Sequence, residues 1–471
     1  MRKVYIETYG CQMNLADTEL LFGQLGRYGY ARTDTADDAD VLLLNTCAIR
    51  EHAEERVIGR LGALVRHKTR RPGVQLGIAG CMAQHVRDQL MERLPFVDFV
   101  VGPDAYRRLP ELLGHANGDP FVDVRLDRDE TYADLAPHRK AGVRAWITIM
   151  RGCDKFCSFC VVPYVRGRER SLPAEAIIDQ VRQAVGEGYG EVVFLGQTVN
   201  AYRHEGVDFA ELLRRTNAVS GVQRIRFTSP HPSDMTEDVI AAMCECDKVC
   251  PQLHLPVQSG SDRVLLAMER GYTSEQYLEL VSRLRAAIPG LALTTDIIVG
   301  FPGEDETDFE HTCDLMRQVD YDGAFMFKYS SRQHTKAAKW SESVSEEEKS
   351  RRLQTIIRLQ DDSSLRSNRR AIGTDTEVLA EGPARRRDGW LAGKNPQFKT
   401  VVFPAGSASP GDLVTVAIKD ATAHTLFGEM DAHSITGATA ARPAGTQLSP
   451  LTLRPSARFG FSDRLLRTDD K

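Results

Sequence analysis

The stretch Arg151-Gly152-Cys153-Asp154-Lys155-Phe156-Cys157-Ser158-Phe159-Cys160 carries three cysteines in the spacing Cys-x3-Cys-x2-Cys. It directly follows an apolar, β-branched run over residues 145–150, which predicts a strand that delivers the thiols on a loop at its carboxyl end. Three thiolates provide three of the four ligands that a zinc ion or a cubane iron–sulfur cluster needs. The stretch therefore predicts a metal centre with one position open to something other than a protein side chain.

Two plainer interpretations of these cysteines are disfavoured by their neighbours. Thiols often serve as small buried hydrophobes, but the charged Asp154 and Lys155 between them suit a core poorly. A structural zinc site would need a fourth Cys or His close by, and residues 161–190 contain neither. A cluster with an open position is the stronger hypothesis.

A second set of cysteines lies in the first part of the chain. Residues 1–115 alternate short apolar strands with helical stretches, which predicts an open, parallel α/β sheet. Cys11, Cys47 and Cys81 each follow one of the first three predicted strands. Ligands of such sheets bind outside the carboxyl ends of the strands, so we expect these thiols to converge on one metal. Structural or redox-active thiols are the alternative.

Residues 144–370 form the second predicted domain, after a charged, proline-containing linker over residues 116–143. Six predicted strands alternate with helices, a pattern typical of a partial (β/α)6 barrel whose active site lies at the carboxyl ends of the strands. Polar segments follow strands at residues 196–200, 229–232, 258–261 and 300–304. Arg166 and Arg168 come soon after the cysteine loop; a solvated basic surface and a phosphate- or carboxylate-binding surface are equally compatible with them.

The pattern changes after a charged helix over residues 345–370. Short alternating runs over residues 371–435, broken by Gly and Pro, predict a small all-β barrel. Arg385, Arg386 and Arg387 make one of its loops basic; basic β-barrels often bind RNA, and a solvated loop is the alternative. Residues 436–471 are rich in Ala, Pro, Ser and Thr and predict a disordered tail.

Composition limits the classes of partner. A formal net charge of -5 gives no overall basic field, so a nucleic-acid site must come from local clusters. Ten cysteines without a secretory signal predict a cytoplasmic protein. Since no apolar run approaches the ~20 residues of a membrane span, we expect no membrane partner, and we expect a monomer.

The cysteine loop, with Phe159 before its last thiol, resembles that of radical S-adenosylmethionine (radical SAM) enzymes. The resemblance implies that Cys153, Cys157 and Cys160 hold a 4Fe-4S cluster and that the methionyl group of S-adenosylmethionine (SAM) binds its fourth iron. The residues implied to contact this cofactor are Phe159, Ile298 and Glu304 around the adenine, Gly196 and Gln197 at the methionyl part, and Gln258 and Ser259 at the ribose or substrate.

The order of the three domains resembles the radical SAM methylthiotransferases over residues 2–432, and the last domain is similar to their RNA-binding TRAM domain. Motifs typical of the MiaB-type tRNA branch are Thr8-Tyr9-Gly10-Cys11-Gln12-Met13-Asn14, Leu44-Asn45-Thr46-Cys47 and Gly80-Cys81-Met82-Ala83-Gln84. This branch adds a methylthio group to C2 of N6-isopentenyladenosine beside the anticodon. The resemblance implies a second 4Fe-4S cluster on Cys11, Cys47 and Cys81, and it favours RNA contacts by Arg166, Arg168, Arg385, Arg386 and Arg387.

The resemblance also implies partners: tRNA, a low-potential electron donor such as flavodoxin or ferredoxin, and a supply of sulfur and Fe-S clusters. A deoxyadenosyl radical would take the hydrogen from C2 before sulfur is transferred. Sibling branches act on threonylcarbamoyladenosine in tRNA or on an aspartate of a ribosomal protein, and both remain alternatives. The alternative of another class is a non-catalytic iron–sulfur protein that binds RNA.

Overall fold

The computed structural model of the chain describes residues 1–47, 51–86, 89–115, 119–139 and 142–438. Its first domain is an open parallel sheet of six strands in the order β2-β1-β3-β4-β5-β6. The strands are β1 (Lys3–Thr8), β2 (Ala31–Arg32), β3 (Val41–Thr46), β4 (Gln75–Gly80), β5 (Phe99–Val101) and β6 (Phe121–Asp123). The predicted open α/β sheet is confirmed.

Helices cover both faces of this sheet, because its central strands are apolar on both sides. Along β3, Leu43 packs in the core on one face, whereas Leu42 and Leu44 pack in the core on the other. The helices are α1 (Gln12–Arg27), α2 (Glu51–Arg70), α3 (Cys81–Val86), α4 (Gln89–Arg93) and α5 (Leu109–His115). With both faces covered, the strand ends are the part of the sheet that a ligand can reach.

The segment predicted as a linker, residues 116–143, contributes to the first domain. Phe121–Asp123 forms β6 at the sheet edge, and Tyr132 and Leu135 are buried in the domain core. An edge strand of 3 residues is too short to show alternation, so the proline and charge content of the segment dominated the prediction.

The second domain is the predicted partial barrel. Its parallel strands form two sheets in the orders β13-β10-β7 and β14-β15-β16, and a backbone bridge between Ile225 and Val249 joins them. Its strands, with four short flanking ones, are β7 (Arg144–Thr148), β8 (Met150–Arg151), β9 (Arg170–Ser171), β10 (Glu191–Leu195), β11 (Arg203–His204), β12 (Val207–Asp208), β13 (Arg224–Phe227), β14 (Gln252–His254), β15 (Ala292–Val299) and β16 (Gly323–Lys328). We call the carboxyl ends of the six parallel strands the mouth of the barrel.

Amphipathic helices pack around the barrel, and the last one connects its mouth to the third domain. They are α6 (Val162–Arg166), α7 (Ala174–Gly186), α8 (Phe209–Asn217), α9 (Glu237–Glu245), α10 (Asp262–Ala267), α11 (Ser274–Ala287), α12 (Glu306–Val319) and α13 (Glu346–Arg369). Near the start of α13, Arg352 donates to Glu304 Oε1 at the mouth (2.7 Å). Near its end, Asn368 donates to the backbone oxygen of Thr422 in the third domain (2.9 Å). None of the helices in the described ranges is both long and apolar enough to cross a bilayer.

The third domain is the predicted small barrel, closed by strands in the order β17-β18-β19-β21-β20. The strands are β17 (Asp375–Pro383), β18 (Trp390–Lys394), β19 (Thr400–Pro404), β20 (Asp412–Ala421) and β21 (Leu426–Ala438). β21 continues past residue 435, where we predicted the domain to end. Of the predicted tail, residues 439–471 lie outside the described residues.

An ionic cluster joins the third domain to the base of the second. The buried carboxylate of Glu191, the first residue of β10, accepts hydrogen bonds from Arg144 Nε (2.7 Å) and Arg226 Nε (3.0 Å). Arg226 also donates to the backbone oxygen of Asn395 (2.8 Å), and the Phe398 ring stacks against both guanidinium groups. Burial alone would raise the pKa of Glu191, but Arg144 and Arg226 hold it below its ordinary value. The third domain is therefore anchored through paired charges.

Replacing Glu191 by Gln should destabilise the chain by ~3–5 kcal/mol, because it leaves the buried Arg226 without the carboxylate that balances its charge. Since the folded pKa of Glu191 is lowered, its contribution is present above its unfolded pKa and is lost as pH falls through the folded pKa. Urea unfolding of the metal-free chain would measure the loss. Glu211→Gln, which breaks an exposed pair with Arg215, is the matched control and should leave the midpoint nearly unchanged. Equal midpoints for both variants would contradict a stabilising role of the cluster.

Candidate metal and cofactor site

The three N-terminal cysteines lie at the ends of adjacent strands. Cys11 follows β1 and caps the N-terminus of α1, Cys47 follows β3, and Cys81 follows β4 as the first residue of α3. β1, β3 and β4 are neighbours in the parallel sheet, so their carboxyl ends share one edge. Gly10 allows the loop after β1 to approach the loop after β3, because a Cβ at this position would lie 2.6 Å from Cys47 Cβ. We call these cysteines the first triad.

Two buried asparagines tie the loops of the first triad together. Asn14 Nδ2 donates to Asn45 Oδ1 (3.2 Å) and to the backbone oxygen of Thr46 (3.1 Å). Asn45 Nδ2 donates in turn to the backbone oxygen of Asn14 (2.8 Å). Because both side chains are fully buried, losing either would leave unsatisfied polar groups. The Asn14 of the family motif is thus a scaffold residue.

The thiols of the first triad differ in acidity. A hydrogen bond from Cys47 lowers the pKa of Cys11 to about 6 against the effect of burial, and Arg166 and backbone N–H groups at the start of α1 act in the same direction. Burial raises the pKa of Cys81 above its ordinary value, although Arg166 opposes it. A thiolate therefore forms more easily at Cys11 than at Cys81.

The second triad, Cys153, Cys157 and Cys160, occupies a compact loop after β8. Cys153 N donates to the backbone oxygen of Gly167 (3.2 Å), and Cys160 N donates to that of Cys157 (2.9 Å). Gly152 has φ 79°, and a Cβ there would lie 1.9 Å from a backbone oxygen, so the loop requires glycine. The thiols of both triads are free of disulfides.

The first triad lies next to the loop of the second triad across the interface of the first and second domains. Cys81 of the first triad packs against Val161 and Val165. Val161 directly follows Cys160 of the second triad. In the described part of the chain, no three His, Cys, Asp or Glu side chains close around a single metal ion. A four-iron cluster spans more space than one ion, and three thiolates with a free iron position form the donor set that it takes.

Several residues at the mouth fit the SAM site that we predicted. Gln258 has φ 74°, and its buried Oε1 has no hydrogen-bond partner among the described residues. A Cβ at Gly196 would lie 2.6 Å from Met150 Cγ, so the backbone is packed closely there. Phe159 and Ile298 pack into one apolar cluster beside the second triad. An unpaired buried oxygen beside an apolar surface suits a ligand that carries both hydroxyl or ammonium donors and an aromatic ring.

Other predicted cofactor residues use their polar atoms within the protein. Gln197 Oε1 accepts from Gly152 N (2.5 Å), and Ser259 Oγ lies 3.3 Å from Thr312 Oγ1. Glu304 Oε1 accepts from Gly300 N (2.9 Å) as well as from Arg352, and burial raises the pKa of Glu304. These side chains hold the loops of the mouth in place.

The predicted RNA-contacting arginines fall in different places. Arg166 is only 2% exposed and pairs with Asp17 across the domain interface (2.7 Å), so its guanidinium faces the protein interior and not RNA. Arg168 is exposed and pairs with Asp154 (2.6 Å). Arg385, Arg386 and Arg387 are exposed on the loop between β17 and β18, where Arg387 stacks on Trp390. The structure therefore leaves Arg168 and this loop as the surface-exposed members of the predicted set.

Sequence reasoning missed Arg270, which follows α10. Its Nη1 lies 3.4 Å from Cys157 Sγ, so it contacts a thiol of the second triad. Arg270 is 113 residues from Cys157 in the chain, and a lone arginine before a turn carries no signal of such a contact.

Family models cover most of the chain in three blocks. The model described as the Radical SAM superfamily matches residues 147–316, and the TRAM domain matches residues 369–430. Residues 3–102 match a model described as Uncharacterized protein family UPF0004. The blocks correspond to the three domains of the fold.

Similar proteins in other organisms share this arrangement along nearly their whole length. The protein named tRNA-2-methylthio-N(6)-dimethylallyladenosine synthase of Prosthecochloris aestuarii is 44% identical over 431 residues, 91% of this chain and 98% of that one. Proteins of the same name from Porphyromonas gingivalis (45% identical) and Clostridium beijerinckii (42% identical) each cover 91% of this chain and 95% of their own.

Solved structures share the fold at low identity. The radical S-adenosylmethionine methyltransferase TsrM of Kitasatospora setae has a TM-score of 0.55 and 13% identity and covers 72% of this chain and 74% of its own. The cobalamin-dependent radical enzyme OxsB has a TM-score of 0.51 and 14% identity, covering 76% of this chain and 56% of its own. These likenesses support the α/β sheet followed by a partial barrel.

In the metal-free chain, Cys11 should react with an alkylating reagent faster than Cys160. Both are partly exposed, but Cys11 has a pKa of about 6, whereas burial and then Cys157 raise the pKa of Cys160 to about 12. At pH 7 Cys11 is mostly thiolate and Cys160 mostly thiol, so iodoacetamide should label Cys11 first. Peptide mass spectrometry measures the order, and preferential labelling of Cys160 would contradict these environments.

Proposed function

We propose, from the premise that this chain belongs to the tRNA-2-methylthio-N(6)-dimethylallyladenosine synthase family, that it adds a methylthio group to C2 of N6-dimethylallyladenosine beside the anticodon of tRNA. The chain is a radical SAM transferase, since the relatives of that name match 91% of it at 42–45% identity and the Radical SAM superfamily model covers residues 147–316. The reaction joins a sulfur and a methyl group to an inert aromatic carbon.

The observation that carries this proposal is the proximity of the first triad to the loop of the second. Cys81 packs on Val161, the residue after Cys160, so the two cysteine loops are neighbours across the domain interface. A transfer of sulfur to a carbon activated at the other triad needs the two centres to reach one substrate atom. A protein that only stored or bound iron–sulfur clusters would have no need for this proximity.

The chain's own residues would hold the two centres and the cofactor. Cys153, Cys157 and Cys160 would bind a 4Fe-4S cluster, and Cys11, Cys47 and Cys81 a second one. A 4Fe-4S cluster bound at the second triad would supply one electron for the cleavage of SAM to methionine and a deoxyadenosyl radical, which could take the C2 hydrogen. The packing of Phe159 and the unpaired Oε1 of Gln258 would position the cofactor.

The remaining partners follow from this chemistry. A low-potential one-electron donor, such as flavodoxin or ferredoxin, must reduce the cluster at the second triad, and a cellular source must supply sulfur and iron–sulfur clusters. We propose that the enzyme acts in the cytoplasm, where such donors occur, and that it acts as a monomer. No general acid–base pair is needed, because the hydrogen leaves as an atom and not as a proton.

The isopentenyladenosine branch is favoured over its siblings by the relatives' names and by charge. The exposed Arg385, Arg386 and Arg387 suit an RNA backbone, whereas a basic ribosomal protein would be repelled. Threonylcarbamoyladenosine remains the second candidate substrate, because it too is a modified adenosine of tRNA.

Turnover with a labelled substrate tests the function directly. The reconstituted chain, given dithionite, SAM and tRNA whose N6-dimethylallyladenosine carries deuterium at C2, should form the methylthio nucleoside and transfer deuterium into 5′-deoxyadenosine. Cys153→Ala should form neither, and tRNA with threonylcarbamoyladenosine should stay unmodified. Mass spectrometry reads both products. Formation of no deoxyadenosine by a chain that binds iron and tRNA would instead support the non-catalytic alternative.

Changing Arg385 to Gln should weaken tRNA binding several-fold and flatten the plot of log affinity against log salt by about 0.7–0.9, the slope of one phosphate contact. Arg182→Gln, which removes an exposed arginine of α7, is the matched control and should change neither quantity. Fluorescence anisotropy with a labelled anticodon stem-loop measures both. An unchanged salt slope in Arg385→Gln would remove this loop from the RNA surface.

A further inference from the structure

We propose that one buried arginine at each triad, Arg166 at Cys81 and Arg270 at Cys157, raises the reduction potential of the cluster held there, and that Arg270 does so more strongly. This inference rests on the proposed function in one respect, the binding of a 4Fe-4S cluster by each triad. Both arginines act through a cysteine sulfur and are positioning residues.

Arg166 joins the first triad to the domain interface. It is the last residue of α6, and its Nε donates to Cys81 Sγ at 3.1 Å. Its Nη2 lies 2.7 Å from Asp17 Oδ2. Asp17 is fully buried and also pairs with Arg151 (2.8 Å), so one carboxylate is shared by two guanidinium groups. Asp17 therefore offsets part of the electrostatic effect of Arg166 on the Cys81 sulfur.

Arg270 meets the second triad in a different setting. Its Nη1 points at Cys157 Sγ (3.4 Å), and its Nη2 donates to the backbone oxygen of Pro256 (2.7 Å). The guanidinium stacks on the ring of Tyr272, 5.4 Å from its centre. In the described ranges no carboxylate lies within ion-pair distance of Arg270, although it is only 6% exposed. Its charge thus acts on the sulfur without a neutralising partner.

The direction of the effect follows from charge balance. Reduction adds one electron from a low-potential donor to the cluster and forms or breaks no bond. An N–H donor and a positive charge beside a cysteine sulfur stabilise the more negative, reduced cluster, and a buried setting strengthens this effect. Since Asp17 balances part of the charge at Arg166 and nothing comparable stands beside Arg270, the shift should be larger at the second triad.

The test is an EPR-monitored redox titration of the full chain, with the other triad changed to Ala so that one cluster is observed at a time. Arg270→Gln should make reduction of the Cys153/Cys157/Cys160 cluster at least tenfold less favourable, a downward shift of about 59 mV for one electron. Arg166→Gln should shift the Cys11/Cys47/Cys81 cluster in the same direction by a smaller amount. Each arginine variant is also made in the single-triad chain that keeps the other cluster, and there it should leave the potential of that cluster unchanged.

Arg151→Gln is the matched control for a structural effect, because Arg151 shares Asp17 with Arg166 but, among the described residues, donates no hydrogen bond to a cysteine. An equal shift in Arg151→Gln and Arg166→Gln would overturn the role of the sulfur contact. Arg270→Lys keeps the charge, so its potential should lie between those of the parent chain and Arg270→Gln. Equal potentials for Arg270→Lys and Arg270→Gln would overturn the role of the charge. If Arg270→Gln fails to fold, Arg270→Met is measured in its place.

Iron analysis separates this inference from the proposed function. Each single-triad chain should bind about four irons. Loss of iron in the parent single-triad chains would contradict the proposed ligation itself. Normal iron with unchanged potentials in Arg166→Gln and Arg270→Gln would overturn the inference and leave the proposed function intact.

Discussion

One buried carboxylate, Asp17, fixes the relation between the first and second domains. It pairs with Arg151, which directly precedes the second cysteine loop, and with Arg166, which ends the helix after that loop. These arginines hold its pKa below the ordinary value although burial alone would raise it. Removing one partner of a buried ion pair typically costs ~3–5 kcal/mol, because the other charge is left uncompensated. Asp17 lies on α1, and Cys11 is the N-cap residue of that helix, so a single rigid element links the first triad to the two arginines that flank the second triad.

Charged pairs also define the other interface of the molecule, whereas each domain core is apolar. Glu191 and its arginines join the barrel base to the third domain. At the interface of the first and second domains, a pair between Arg170 and the buried Asp104 (2.9 Å) adds to the contacts of Asp17. Apolar side chains can pack in many nearly equivalent ways, but a buried ion pair is favourable in few geometries. The apolar cores therefore stabilise the individual domains, and the ionic contacts determine how the domains are oriented relative to each other.

The sequence predicted the features that come from local repeating patterns, and it missed the contacts between residues far apart in the chain. The cysteines could be placed at strand ends because the strand–helix alternation determines which ends share an edge. The strand Phe121–Asp123 was missed because it is too short for a pattern. Arg166 was expected at the surface, since no feature of one sequence reveals that Asp17, 149 positions earlier, neutralises it inside the protein. The contact of Glu304 with the cofactor stays a prediction, and its ion pair with Arg352, on a helix 48 positions away, likewise had no local signal in the sequence.

The helix α13 sets a fixed distance between the barrel mouth and the third domain. Its 24 residues extend about 36 Å, with Arg352 holding a loop of the barrel mouth near one end and Asn368 holding the third domain near the other. A helix of this length does not shorten to accommodate a substrate. An RNA bound by the third domain, as we propose, would present to the mouth only a base that lies at a matching distance along its folded backbone. Choice of substrate would then include a criterion of length, which acts before any chemical group on the base is recognised.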